Sequence, residues 1–212
     1  MRIQTWKEEF YNGLTHGVGL LIALVAVPAL VAFVAQFQIG SYTLSAAVYG
    51  FTMLMVYASS TIYHSVPHPQ VKKMLRLLDH ISIYLYIAGT YTAFVVLLVK
   101  VDVAFWLILM WSLAALGIFF KVIQGVGTKK TFSVIIYSIM GGMAVFYVPP
   151  MWSELPALSF GLLVFGGLLY LIGAVIYAGK FSYNHVVWHL FVMLASAAHY
   201  AAIFVGLNSQ QL

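Results

Sequence analysis

Seven apolar runs, each about as long as a bilayer requires, alternate with short polar connections along the chain. They cover 14–36, 41–65, 79–99, 103–123, 132–149, 157–179 and 184–207. The connections carry the residues that punctuate helices: Gly40-Ser41, Pro67-His68-Pro69, Gly125 to Lys130 and Pro149-Pro150. The pattern predicts an all-α membrane protein, a bundle of seven transmembrane helices. Runs of some twenty residues, rather than ten-residue alternating segments, argue against an outer-membrane barrel. No linker interrupts them, so residues 1–212 read as a single integral membrane domain. The polar stretch 1–13, MRIQTWKEEFYNG, reads as a cytoplasmic arm or interfacial helix. It is acidic and runs into a full span, which is not the pattern of a cleavable signal peptide. No internal repeat is evident, and this weakens a reading as an inverted-repeat transporter.

Composition sharpens this picture in two ways. Only 7% of residues are charged against 63% hydrophobic, outside the range of soluble domains. There is no cysteine, so any transition-metal site must be built from histidine and carboxylate. The net charge of +5 is better explained by topology than by nucleic-acid binding. With seven spans, Arg2, Lys7, Lys72, Lys73, Arg76, Lys121, Lys129, Lys130 and Lys180 fall on one side of the membrane and only Lys100 on the other. Positive charge stays inside, so the N-terminus is expected in the cytoplasm and the C-terminus outside.

On that map the unusual polar residues gather in one leaflet. His16 lies near the start of the first span, His64 ends the second, Asp79 and His80 begin the third, and His185 and His189 begin the seventh. Ionisable groups at membrane depth are costly and tend to face one another or an aqueous cavity. His185 and His189 are four residues apart, which puts both imidazoles on one helix face, one turn apart, where they can share a metal ion. With His64 they make a three-histidine set, which leaves Zn²⁺ an open position and lowers the pKa of water there. Asp79 is placed to accept a proton from that water, and Ser60, a turn before His64, to orient the water or a carbonyl. Each has a plainer alternative: an N-cap for Asp79, a bond to its own helix for Ser60, a hydrogen-bonded pair for His185 and His189. Glu9, Asn12 and His16 share nearly one helix face and either close the mouth of the site or cap the first span. His80 is expected at the interface. His199 lies too deep for the same ion and reads as a core histidine. Gly141-Gly142 and Gly166-Gly167 suit close helix packing.

These residues fall into an order that resembles the bacterial haemolysin III family, within the progestin and adipoQ receptor family of seven-span membrane hydrolases. The pieces are Glu9-x-x-Asn12-x-x-Thr15-His16, Ser60-x-x-x-His64, Leu78-Asp79, His185-x-x-x-His189 and His199-Tyr200, covering Glu9 to Tyr200. The resemblance implies zinc on His64, His185 and His189, with Ser60 and Asp79 beside it. It also implies a ceramidase-like activity on membrane lipids, a link to membrane-lipid homeostasis, and residence in a bacterial plasma membrane.

The leading expectation is a zinc-dependent hydrolase cleaving an amide or ester bond of a membrane lipid from the cytoplasmic leaflet. A lipid sensor or receptor with structural zinc is the second, and a haemolysin-type pore the third. Pores and ion-coupled transporters commonly carry charge at mid-membrane, and none of these spans does. A retinal pump needs a lysine in the last span, and 184–207 has none. A bis-histidine haem stays open on sequence grounds, and a colourless purified protein disposes of it. His185→Ala and His189→Ala are each expected to lose bound metal while inserting normally, because topology rests on the loop charges. Full metal content in either variant, measured on detergent-purified protein, would show that these residues are not ligands.

Overall fold

The first helix begins earlier than its apolar run, because Thr5-x-x-Glu8 forms a capping box. The Thr5 backbone N–H donates to Glu8 Oε2 at 2.8 Å, and the Glu8 N–H donates to Thr5 Oγ1 at 3.3 Å. Helix α1 therefore runs Trp6–Phe37, and the stretch expected as an arm or interfacial helix is largely its first two turns. A computed structural model describes residues 4–37, 40–98, 102–125, 130–144, 146, 152–179 and 181–209. After α1 come α2 (Ser41–Ser65), α3 (Pro69–Leu98), α4 (Val103–Gln124), α5 (Lys130–Gly142), α6 (Ala157–Ala178) and α7 (Asn184–Ser209). Six of these, all but α5, are long and apolar enough to cross a membrane. The expected end of the fifth span, at 149, lies outside the described residues.

Helix α3 is the second departure. It starts at Pro69, whose missing N–H costs nothing in a first turn and whose fixed φ suits it. Asp79 is thus ten residues inside a helix and cannot be its N-cap. The apolar run detected only the part of α3 that meets the core. Lys72 and Arg76, counted in the sequence as loop charges, are helical.

The helices pack as antiparallel neighbours α1–α2, α2–α3, α3–α4 and α6–α7, and α7 also closes against α1 and α3. Outward faces are apolar, with Leu21, Val25, Ile108, Phe119 and Val175 exposed. Inward positions hold Asn12, His16, Ser60, His64, Asp79, His189 and Ser196, all buried. This is the arrangement expected where lipid replaces water around the bundle. Between the helices, small residues let the backbones approach. A Cβ on Gly50 would run into Val27 of α1, and one on Gly89 into Thr52 of α2. Gly166 faces the His199 ring in the same way, while Gly141, Gly142 and Gly167 face open space and do not serve the packing expected of them. His199 Nε2 donates to the Leu163 carbonyl across α6–α7 at 3.1 Å, the bond of a core histidine.

Gly50→Val and Gly89→Val are expected to destabilise the bundle by about 1–3 kcal/mol each through overpacking. Gly167→Ala, in open space, should be close to neutral. Unfolding of the purified variants in denaturing detergent checks both.

Candidate metal centre

Three imidazoles meet where α2 ends and α7 begins. His64 occupies the last turn of α2, and His185 and His189 the first two turns of α7. One ligand atom from each lies within 4.8 Å of the other two, so the cluster could hold a metal ion. Asn184 fixes the entry of α7 by donating from Nδ2 to the Tyr177 and Gly179 carbonyls at 3.1 and 2.6 Å, tying it to the end of α6. Glu8 then docks α1 on this turn: its Oε1 accepts the Tyr183 N–H at 2.9 Å.

The ring nitrogens facing away from the cluster are each engaged by α1 or the residues just before it. His64 Nδ1 donates to Glu9 Oε2 at 2.8 Å, and that oxygen also accepts from Lys72 Nζ at 2.9 Å. His189 Nδ1 lies 3.2 Å from the Asn12 carbonyl and 3.3 Å from Thr15 Oγ1. The Thr15 hydroxyl already donates to backbone carbonyls of its own helix, so its oxygen is free to accept. His185 Nδ1 lies 2.7 Å from the Gln4 carboxamide nitrogen, and Asn12 Nδ2 donates to Gln4 Oε1 at 2.9 Å. The consequence is clearest at His64. With Nδ1 giving its proton to a carboxylate, Nε2 carries a lone pair, and this atom is buried with no hydrogen-bond partner. A buried acceptor left open in this way fits a metal ion, and a carboxylate behind the imidazole is the usual outer support of such a ligand.

Asp79, from α3, is near enough to His64 and Ser60 to interact with both electrostatically. Its Oδ2 lies 3.7 Å from His80 Nδ1. His80 is half-buried: its Nδ1 donates to the Arg76 carbonyl, and its own carbonyl accepts from Tyr137 of α5. The Ser60 hydroxyl is buried and makes no hydrogen bond, so the bond to its own helix is not formed. His16 lies beneath the cluster rather than at its rim. Its ring stacks on His189 with centroids 3.6 Å apart and planes 17° apart, and meets Tyr57 edge-on at 5.2 Å.

The eight residues singled out from sequence, Glu9, Asn12, His16, Ser60, His64, Asp79, His185 and His189, therefore converge from four helices. Gln4, Thr15 and Lys72 contact the same groups and were not assigned a role there. For Lys72 a signal existed, since a lysine three residues into a helix that starts at Pro69 sits level with the end of α2. For Gln4 there was none, because its partner is 181 residues away.

Similarity to known proteins extends over most of the chain. Residues 4–200 match a family model described as haemolysin-III related. The chain is 37% identical over 201 residues to the hemolysin-3 homolog of Bacillus subtilis (strain 168), covering 94% of each chain. It is 37% identical over 193 residues to hemolysin-3 of Bacillus cereus, covering 90% of this chain and 88% of the relative. The human monocyte to macrophage differentiation factor is 28% identical over 215 residues, covering 94% of this chain and 84% of that one. A match across almost the whole chain, with the clustered histidines inside it, leaves one conclusion: the chain belongs to the haemolysin III family of integral membrane proteins.

Proposed function

We propose that this protein is a zinc-dependent membrane hydrolase that cleaves an amide or ester bond of a membrane lipid at the cytoplasmic leaflet. The observation that carries this reading is the buried, unpartnered Nε2 of His64, backed by Glu9, beside two further imidazoles and two polar groups with chemistry to offer. Zinc on three histidines supplies a Lewis acid and lowers the pKa of water toward neutrality. His64, His185 and His189 would hold it. His64 and His189 are fixed in the required tautomer by Glu9 and by Asn12 and Thr15. For His185, turning the Gln4 and Asn12 carboxamides together presents Gln4 Oε1 to Nδ1–H, keeps their mutual bond as Gln4 Nε2 to Asn12 Oδ1, and would leave His185 Nε2 for the metal. The Asp79 carboxylate takes a proton from the attacking water and delivers it to the leaving nitrogen or oxygen. The Ser60 hydroxyl donates to the substrate carbonyl. The apolar bundle excludes bulk water and accommodates the acyl chain.

The helix directions support seven spans with the N-terminus cytoplasmic. Gln4, before α1, contacts His185 at the start of α7, so the two helices enter the bundle from the same end. Four antiparallel helices, α1 to α4, return the chain to that end, and α6 must also finish there to lead into α7. That parity supports a crossing by the segment that holds α5. Its contacts agree: Lys121 near the end of α4 bonds Ser133, and Tyr91, farther along α3, bonds the Met140 carbonyl. The charge asymmetry places the metal cluster on the cytoplasmic side. A structural zinc in a lipid sensor or receptor is the competing reading, since it needs the same ligands but neither Asp79 nor Ser60.

Three outcomes follow. Glu9→Ala should weaken zinc binding about 10–100-fold in a chelator competition while leaving the fold intact. Asp79→Asn should keep zinc but lower turnover of acyl-amide or acyl-ester lipids in mixed micelles by about 10²–10⁴-fold. A zinc-loaded wild-type protein that hydrolyses none of a panel of such lipids would favour the sensor. Since the chain lacks cysteine, single cysteines at Gln70 and Asp102 should label from opposite sides, Gln70 from the cytoplasm.

A further inference from the structure

His16 is buried, 3% exposed, and neither of its ring nitrogens has a hydrogen-bond partner. An imidazole enclosed this way forgoes the water it would bind outside, and such a group implies a polar partner that is not protein. The stack on His189 says what that partner is not. An ion held by His189 lies in the plane of its ring, about 2 Å from the nitrogen. With the two planes 17° from parallel and the ring centroids 3.6 Å apart, the in-plane lone pair of His16 cannot reach the same ion. Whatever satisfies the His16 nitrogens is therefore something other than that ion. His64 Nε2 is likewise buried without a partner, and its ring centroid lies 5.2 Å from that of His189, so side chains of both α1 and α2 leave hydrogen-bonding atoms open around His189.

We propose that His16 is a hydrogen-bond donor to the oxygen of the molecule bound at the metal centre, a carbonyl or hydroxyl of the lipid head, and is not itself a metal ligand. The inference rests on the zinc reading above. It gives His16 a role that the family motif alone leaves open between capping the helix and closing the mouth. It also explains why a histidine, rather than another aromatic residue, packs under His189. Stacking alone would be served by phenylalanine, whereas donation to an oxygen needs the ring N–H.

Acetohydroxamate, a small oxygen chelator of zinc, serves as the probe on the full-length zinc-loaded protein in detergent. His16→Phe keeps the ring stack and removes both nitrogens; His16→Gln restores a donor. Zinc content is expected to stay at the wild-type level in both. The dissociation constant of the probe should rise about tenfold or more in His16→Phe, the loss of one hydrogen bond, and recover in part in His16→Gln. Probe binding within twofold of wild type in His16→Phe would mean that only water satisfies His16, and would overturn the proposal. Loss of zinc from His16→Phe, with its melting temperature unchanged, would also overturn it, by making His16 part of the metal support. A wild-type protein that binds no zinc would instead sink the metal reading, and the occupant required here with it.

Discussion

The hydrogen bond from His64 to Glu9 is the interaction on which the rest of this site depends. A neutral imidazole buried at the end of a membrane helix has one proton and two nitrogens, and its neighbours decide which nitrogen stays open. Glu9 Oε2 accepts the Nδ1 proton in a hydrogen bond, and Lys72 Nζ donates to that same oxygen. A charge-assisted bond of this kind is worth ~1.5–3 kcal/mol, enough to fix the tautomer. It also joins three helices at one point: Glu9 on α1, His64 on α2 and Lys72 on α3.

The start of α1 acts as the outer support of the site. Glu8 accepts from the turn before α7, Glu9 from His64, Asn12 and Thr15 engage His189, and Gln4 reaches His185. These contacts lie on the first turns of one helix and the residue before them, so one element orients ligands supplied by two others. Of the two forms expected for this stretch, an arm or a helix, the described residues take the helix from Trp6 onward. Residues 4–13 are rich in polar side chains, several of which face the site, and from Trp6 onward the backbone is helical.

Much of this was legible in the sequence. Periodicity and run length gave the helices, the i, i+4 spacing gave the His185–His189 pair, and shared membrane depth brought His64 to it. Thr5-x-x-Glu8 and Pro69 marked the true starts of α1 and α3, but the apolar runs begin later and drew the boundaries inward. That misplacement made an N-cap plausible for Asp79, which in fact lies inside α3. What could not be read were contacts between side chains on helices far apart in sequence, such as Gln4 with His185, and ring orientation. Spacing places His16 on the same face as Glu9 and Asn12, but only the fold shows it stacked under His189 with both nitrogens open.

The central claim is that His64, His185 and His189 hold one zinc ion. Elemental analysis of wild-type protein purified in detergent without chelators, beside His64→Ala, tests it most directly. The account predicts about one zinc per chain in the wild type and almost none in the variant. A wild type free of zinc, or a variant that keeps it, would contradict the account.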